Sequence, residues 1–188
     1  SIVEMNGDWY IFYHRHTNGT WFSRQGCAEK LPIREDGLFG QAELTSCGLN
    51  GGPLAGEGYY PSCIACHLFT DRPVIYVGDS DKPEYVNGSF PKIVKEGWDG
   101  DQNEGYITNM YDQCTAGFRY FDLSHVSEIT LTIRGYAYGS MEIRTSFEGS
   151  AVKTIPLHYS NIWRDIKTEI KLPEGADSLY FTYRGPGS

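Results

Sequence analysis

Two histidines at alternate positions are the first residues whose type and spacing could do chemistry. His14 and His16 lie at the end of the aromatic run Trp9-Tyr10-Ile11-Phe12-Tyr13. Residues two apart on a strand point to the same face, so the two imidazoles would supply half of a metal site. The spacing identifies no third ligand, and a hydrogen-bonded structural role explains the same residues. We therefore expect no metal at this pair.

Trp163 draws attention because of the side of the strand on which it falls. Counting by twos assigns alternate residues to the core: Ile166, Thr168, Ile170 and Leu172. Trp163 then lies on the opposite, wet face. An exposed ring beside Tyr159-Ser160-Asn161 could stack on the apolar face of a sugar whose hydroxyls bond to nearby polar groups. A β-bulge near Ile162 would instead reverse the alternation and bury the ring. We favour the sugar surface. Tyr136 and Tyr138 are weaker candidates that could simply cover a strand end.

A third pattern begins like a calcium-binding loop. Asp99-Gly100-Asp101-Gln102-Asn103 carries oxygen ligands at alternate positions. Glu104 then stands where the sharp turn needs glycine, and Met110 stands where a bidentate glutamate is needed. The pattern therefore favours a polar turn, and the residues themselves identify no cofactor.

The cysteines give a weak indication of the compartment. There are five of them, an odd number without the spacing of a disulfide framework, which slightly favours the reducing cytoplasm over secretion. Cys63 and Cys66 form a CxxC pair, but no second pair exists to complete a zinc site. We interpret them as structural thiols.

Composition excludes two classes of partner. The 188 residues carry a net charge of -8 with no run of Lys or Arg, which argues against nucleic-acid binding. No apolar stretch approaches the roughly 20 residues of a membrane span. With 40% apolar residues the chain can build a real core. The prediction is a globular protein with neither a nucleic-acid nor a membrane partner.

The elements that must position these residues are strands. Turn signals at Asn6-Gly7-Asp8, Asn18-Gly19 and Glu35-Asp36-Gly37 separate alternating runs near residues 1–5, 9–15, 20–34 and 38–45. Four antiparallel strands in a row are typical of one β-propeller blade, which normally packs between neighbouring blades. Residues 46–73 are broken by glycine and proline yet retain large apolar side chains, which indicates a packed connector.

Short strands return from residue 74 onward. Their even spacing, period-two alternation and lack of a convincing helix predict a β-sandwich. Predicted core residues are Ile129, Leu131, Ile133, Met141, Ile143, Ile166, Ile170 and Leu172. Predicted water-facing residues are Thr130, Thr132, Glu142, Arg144, Lys167 and Lys171.

Two sets of motifs carry family resemblances. One set resembles the final blade of glycoside hydrolase family 43, in its xylosidase and arabinofuranosidase branch: Trp9-Tyr10-Ile11-Phe12-Tyr13-His14-Arg15, Ser23-Arg24-Gln25, Glu29, Thr45-Ser46-Cys47-Gly48 and Pro53-Leu54. The other set is similar to the sandwich of carbohydrate-binding module family 6: Gly117-Phe118-Arg119-Tyr120-Phe121-Asp122, Arg134-Gly135, Trp163 and Leu179-Tyr180-Phe181-Thr182-Tyr183-Arg184-Gly185. Together they cover nearly the whole chain.

These resemblances imply an all-β chain with a four-stranded blade of a five-bladed propeller followed by a jelly-roll sandwich. The implied domains are the last blade at 1–45, the connector at 46–73 and a sandwich at 74–188 that lacks its last strand. The implied function is the C-terminal portion of a glycoside hydrolase that acts by inversion on xylan, arabinoxylan or arabinan side chains. Its implied partners are a plant polysaccharide or oligosaccharide and the missing N-terminal blades. Calcium is left open by the resemblance alone.

The catalytic set has no counterpart here. Inversion needs two carboxyl groups roughly 6.5–9.5 Å apart, and the resemblance places an Asp base, a second Asp and a Glu acid on earlier blades. The carboxylates of this chain fall in turns or on wet strand faces, apart from Glu43, which lacks a matching partner. We therefore expect no catalytic residue in this chain and no hydrolysis by the chain alone.

Arg24 is the residue of the blade most relevant to substrate. The resemblance directs its guanidinium toward the propeller axis, where the planar fork could bind sugar hydroxyls or hold a carboxylate. The alternative is a salt bridge at the edge of the blade. Two other functions remain open for the chain: a non-catalytic carbohydrate-binding protein, and a sandwich that only braces the propeller.

Overall fold

The computed structural model describes residues 1–18, 24–71, 90–94 and 105–186. Several predicted features lie wholly or partly outside these ranges. They are the turn at Asn18-Gly19 with the residues that follow it, a strand at residues 74–77, the polar turn at residues 99–103 and the C-terminal residues 187–188.

The described residues form strands, two short 3-10 turns and irregular loops, with no α-helix among them. In chain order the strands are β1 (Ile2–Met5), β2 (Asp8–His16), β3 (Arg24–Leu31), β4 (Leu54–Ala55), β5 (His67–Phe69), β6 (Lys92–Val94), β7 (Tyr106–Thr108), β8 (Thr115–Arg119), β9 (Phe121–Asp122), β10 (Glu128–Gly135), β11 (Gly139–Arg144), β12 (Lys153–Leu157), β13 (Ser160–Glu169) and β14 (Ser178–Arg184). The 3-10 turns span Gly48–Asn50 and Ser62–Ile64. The all-β class predicted from the sequence is confirmed.

The first sheet is an antiparallel meander of β1, β2 and β3. The turn between β1 and β2 is tight, because Asn6 and Gly7 both adopt positive φ angles of 55° and 84°. Strands β2 and β3 stay in register over eight pairs, from Trp9 opposite Leu31 to His16 opposite Arg24. The antiparallel hairpin expected at the start of the chain is therefore present.

A fourth strand over residues 38–45, predicted from alternation, does not form. That segment makes a single isolated bridge, between Ile33 and Phe39. Pro32 lacks the N–H that would extend the ladder beyond β3, and its carbonyl accepts the Gly40 amide at 2.7 Å. Residues 41–45 therefore turn away from the edge of the sheet.

Two further sheets face each other across the largest apolar core. One has five strands in the order β12-β11-β14-β8-β5, and the other pairs β10 with β13. Their shared cluster centres on Ile143, Ile155, Leu157 and Ile170. Every core residue predicted above belongs to this cluster: Ile129, Leu131, Ile133, Met141, Ile143, Ile166, Ile170 and Leu172. Period-two alternation thus identified the buried faces correctly.

Glu142 and Arg144 depart from the water-facing position that alternation gave them. Both side chains are largely covered, and Arg144 Nη2 lies 2.5 Å from Glu142 Oε2. Arg184 Nε on β14 also reaches the Glu142 carboxylate, at 3.1 Å. Burial opposes ionisation of Glu142, but the hydrogen bonds from these two arginines outweigh it and hold its pKa below the usual value of 4.5. These three side chains therefore form a covered ionic cluster on this sheet.

The segment at 46–73 is bound tightly to its neighbours. Strand β4 pairs in parallel with β9, and β5 joins the edge of the five-stranded sheet beside β8. The Ser46 amide donates to the Arg119 carbonyl, while the Arg119 amide donates to Ser46 Oγ at 3.1 Å. This segment contributes strands of its own, and the division of the chain at residues 45 and 73 stays a prediction.

Candidate functional site

An aromatic site surrounds Trp163 on β13. The Tyr106 ring contacts the indole in a T-shaped arrangement, with a centroid distance of 5.2 Å and an interplanar angle of 74°. The Arg134 guanidinium carbon lies 4.8 Å from the indole centroid, within cation–π range. With Trp163 43% exposed, the ring retains open surface. We call Trp163, Tyr106 and Arg134 the aromatic site.

The local strand pairing explains why this tryptophan is exposed. Ile133 pairs with Arg164 and Gly135 pairs with Ser160, so three residues of β13 oppose the single Arg134 of β10. A bulge is therefore present near Ile162, where the alternative hypothesis placed a bulge that would bury the Trp163 ring. Trp163 is itself one of these three residues, and the bulge does not bury it, because residues 161–165 are all exposed.

Strand β7 positions Tyr106, the part of the site that sequence reasoning missed. The tyrosine pairs with Val94 of β6, and the next amide, Ile107, donates to Ser62 Oγ at 3.0 Å. Gly105 packs against Cys63 so closely that a Cβ there would collide with the cysteine side chain. Tyr106 and Trp163 are 57 positions apart in sequence, and no local pattern links them.

Arg24 lies at the first position of β3, and its side chain is exposed. It pairs with His16 across the hairpin and forms no ion pair with another described residue. The same end of the hairpin is held by the neighbouring Gln25, whose Nε2 donates to the Cys63 carbonyl at 3.0 Å. Arg15 Nη1 donates to the Ala65 carbonyl at 3.2 Å. The backbone that carries Arg24 is therefore fixed while its guanidinium faces solvent.

The structure does not join Arg24 and Trp163 in one contact, but a short chain of strands connects them. The Ile93 amide of β6 donates to the Thr17 carbonyl at 2.7 Å, next to His16. Strand β6 pairs with β7, and Tyr106 of β7 contacts the Trp163 ring. Strand β6 therefore contacts both the end of the first hairpin and β7.

The two histidines weighed as metal ligands share one face as predicted. Their ring centroids are 5.7 Å apart. Within the ranges that the structure describes, no group of three or more His, Cys, Asp or Glu side chains is arranged to hold a metal ion. Nor does this part of the chain contain a helix long and apolar enough to cross a membrane.

A second concave region lies between the first sheet and β9. It is an open depression of about 390 Å³, lined among others by Glu29, Glu43, Thr45 and Tyr120. Glu29 is only 4% exposed and accepts bonds from Thr45 N–H at 2.8 Å, Thr45 Oγ1 at 2.6 Å and Tyr13 OH at 3.2 Å. These bonds commit both of its oxygens to structure.

Glu43 is exposed on the other side of the depression and accepts the Tyr120 hydroxyl at 2.5 Å. This hydrogen bond, together with partial burial, raises the pKa of Tyr120 to about 12. A carboxylate held by a neutral phenol and a carboxylate held by three donors give no acid and base pair for hydrolysis. We therefore interpret both carboxylates as structural, because their hydrogen bonds connect separate segments of the chain.

All five cysteines are free thiols. Burial raises the pKa of the Cys66 thiol, which contacts the Gly117 carbonyl at 3.4 Å. Burial also raises the pKa of the Cys27 thiol. The higher pKa of both groups reduces their thiolate fraction, as expected for thiols with a structural role.

Comparison with known proteins adds the family context. No protein-family model matches the chain. It is 51% identical over all 188 residues to a protein of Thermoclostridium stercorarium named xylosidase/arabinosidase, and it spans 39% of the length of that protein. It also superposes, with a TM-score of 0.53 and 17% identity, on the crystal structure of a glycoside hydrolase family 43 arabinoxylan arabinofuranohydrolase from Bacillus subtilis in complex with cellotetraose.

The structural match covers 100% of this chain and 37% of the Bacillus protein, and at that identity it concerns the fold alone. The chain thus spans less than two fifths of the length of both proteins. The predicted resemblance to glycoside hydrolase family 43 is confirmed: over its whole length this chain is similar to part of a xylosidase/arabinosidase, and its fold matches part of a family 43 glycoside hydrolase. The resemblance to carbohydrate-binding module family 6 stays a prediction.

Proposed function

We propose that this chain is the C-terminal portion of a glycoside hydrolase that acts by inversion on hemicellulose, on xylan, arabinoxylan or arabinan side chains. The observation that carries the proposal is the 51% identity to a xylosidase/arabinosidase, which extends over every residue of the chain. The chain brings no acid and base pair of its own among its described residues. In this proposal the remaining part of the longer protein supplies the catalytic carboxylates.

The finer architecture belongs to the same proposal. We assign residues 1–45 to the last blade of a propeller, 46–73 to a connector and 74–188 to a jelly-roll sandwich. The meander of β1 to β3 supports the blade, and the two sheets that share one core support the sandwich. Exposed apolar side chains on the first sheet and the bridge beside it, among them Ile2, Val3 and Phe39, are suited to packing against neighbouring blades.

Arg24 is the proposed substrate contact of the blade. Its exposed guanidinium on a fixed backbone is suited to bidentate bonding, either to sugar hydroxyls or to a catalytic carboxylate of another blade. No ion pair with a described residue occupies it. The edge salt bridge that was the alternative is therefore not formed with any described residue.

Trp163 is the proposed carbohydrate contact of the sandwich. Its partly open indole and the adjoining Tyr106 ring form a surface suited to the apolar face of a pentose or hexose. Trp163→Ala should weaken retention of the chain on xylan in affinity electrophoresis while its circular dichroism stays unchanged. Equal retention of variant and wild type on a xylan that the wild type binds would remove Trp163 from the site.

A bracing role for the sandwich has specific support of its own. Arg119 Nη2 on β8 donates to the Leu44 carbonyl at 2.6 Å, and Tyr120 holds Glu43 beside the first sheet. Bracing and carbohydrate binding use different faces, so both are compatible with the proposed hydrolase. The lack of a disulfide among the five cysteines, all of them described, supports a reducing compartment for the protein.

A chimera tests the enzymatic proposal. This chain would replace the matching 39% of the Thermoclostridium protein, and hydrolysis of 4-nitrophenyl β-xyloside and α-arabinofuranoside would be measured. We expect activity from the chimera and none from the 188-residue chain alone. A folded chimera that is inactive on both substrates, beside an active parent, would refute the proposal.

Arg24→Ala in the same chimera tests the substrate contact. We expect kcat/KM to fall about tenfold or more, because a charge-assisted hydrogen bond to substrate or carboxylate is lost. Arg34→Ala is the matched control, since Arg34 is exposed and already paired with Asp36 at 2.9 Å. Equal kinetics for the two variants would place Arg24 outside the active site.

A further inference from the structure

Three tyrosines outside the aromatic site gather on the loops at one end of the β10–β13 sheet. The rings of Tyr136 and Tyr159 have centroids 4.9 Å apart, and those of Tyr138 and Tyr159 are 6.2 Å apart. The Tyr138 ring is close to parallel with the central ring, at 13°, and the Tyr136 ring is tilted from it by 33°. We call Tyr136, Tyr138 and Tyr159 the tyrosine platform.

The platform is open to solvent. Tyr136 is 82% exposed, Tyr138 51% and Tyr159 43%. One exposed tyrosine is ordinary, but three adjacent rings leave a contiguous aromatic surface uncovered. Packing against the apolar core therefore does not account for their position.

Both loops that carry the platform are held in place. Gly135 and Gly139 bound the first loop with φ angles of 109° and 107°, and a Cβ at Gly139 would collide with the Arg184 carbonyl. The Tyr183 hydroxyl donates to the Tyr138 carbonyl. In the second loop, buried Ser160 donates from its Oγ to the Ile162 carbonyl at 2.6 Å. A ligand would therefore meet a surface that needs little ordering.

The chemistry of the two loops fits a neutral, hydroxyl-rich ligand. Residues 135–139 read Gly-Tyr-Ala-Tyr-Gly, and residues 157–162 contain no acid, lysine or arginine. Aromatic faces pack against the apolar faces of sugar rings, while phenol hydroxyls donate to and accept from sugar hydroxyls. The ionisable side chains beside the platform are those of the three tyrosines and His158, although the chain as a whole carries -8.

The platform also adjoins the aromatic site along both strands. Arg134, which lies over the Trp163 indole, directly precedes Gly135 at the start of the first loop. Tyr159 is four residues before Trp163. Arg134 and Trp163 of the aromatic site therefore lie on the same two segments of chain as the platform, while Tyr106 comes from β7.

We propose that the tyrosine platform is a second carbohydrate-binding surface, which holds the backbone of a neutral polysaccharide beyond the sugars that contact Trp163. The proposal rests on the proposed function for its choice of polysaccharide, a pentose-based hemicellulose. In this proposal the platform strengthens the binding of long chains, because three adjacent rings can contact successive parts of one polymer.

The test is isothermal titration of the 188-residue chain with xylohexaose and with soluble arabinoxylan. The double variant Tyr136→Ala/Tyr138→Ala should bind both about tenfold more weakly, since two aromatic contacts are lost. Tyr136→Phe/Tyr138→Phe should retain most of the affinity, because both aromatic rings remain. Tyr59→Ala is the matched control, because Tyr59 is also an exposed tyrosine, at 64%, but lies on the connector.

Three other results would overturn the proposal. Wild-type affinity in the double alanine variant, beside a loss in Trp163→Ala, would overturn the platform and leave the aromatic site intact. A wild-type dimer that the double variant converts to a monomer would identify the platform as a contact between copies and overturn the proposal. A wild type that binds neither probe would also overturn it, while the chimera assay would still decide the hydrolase proposal separately.

Discussion

Removal of the Glu29 carboxylate should destabilise the junction between the first sheet and the connector. The carboxylate is 4% exposed and accepts three hydrogen bonds, two from Thr45 and one from Tyr13. Burial, and then the charge of Glu29, raise the pKa of the Tyr13 phenol, which keeps it protonated as a donor. Glu29→Ala leaves these donors without their acceptor.

The size of the effect follows from the number of donors that lose a partner. Each buried donor left unsatisfied costs about 1–3 kcal/mol. The Thr45 hydroxyl can rotate to a new partner, and the adjoining depression can admit water, so we count one to two stranded donors. The expected loss is about 3 kcal/mol, which moves the urea midpoint by about 1.5 M at a slope of about 2 kcal/mol/M.

Urea unfolding of the 188-residue chain measures this loss, and hydrogen exchange at the Thr45 amide localises it. Glu43→Ala is the matched control, because Glu43 lines the same depression, is exposed and accepts one bond. We expect less than about 1 kcal/mol for that change. Equal midpoints for the two variants, with Thr45 protection unchanged in Glu29→Ala, would refute the reasoning.

Three further outcomes are expected. Iodoacetamide at pH 8 should modify Cys63 before Cys66, because Cys66 is buried with a raised pKa, and mass spectrometry of timed samples that shows the reverse order would contradict this. The pKa of Glu142 is lowered in the folded protein, so its contribution to stability is present above pH 4.5 and is lost as the pH falls below that value. Glu142→Gln should therefore flatten the acid side of a plot of melting temperature against pH. An unchanged slope would count against the ionic cluster of Glu142, Arg144 and Arg184. Gly56→Ala should lower the melting temperature, because its Cβ would meet the Asp122 carbonyl and Val126, whereas Gly26→Ala has open space and should not; similar shifts for both would disprove the close approach of β4 to β9.

Local alternation predicted much of the fold because a strand with one buried face records that face in its own sequence. Strand β10 alternates between exposed and partly buried residues along its whole length, as its sequence indicates. The same reasoning failed at residues 38–45, where Pro32 ends the ladder. It also failed at Glu142, whose partner Arg184 belongs to a strand about forty residues later.

In the candidate sites, too, features within one strand were predicted from the sequence, and contacts between separate strands were not. The exposed side of Trp163 followed from counting along its own strand. Its contact with Tyr106 and the meeting of Tyr159 with Tyr136 depend on how separate strands pack together. A single sequence contains no periodic signal for such contacts, so these partners became visible only in three dimensions.

The attachment of the connector bears on how such a protein can be recombined. Strand β5 forms the edge of the five-stranded sheet although it precedes residue 74, where sequence composition places the start of the sandwich. A gene fusion that begins at residue 74 would lose this edge strand and both hydrogen bonds between Ser46 and Arg119. Exchange of this unit between enzymes, in the laboratory or during evolution, should therefore succeed with a junction upstream of Thr45 and fail with one at the apparent domain boundary.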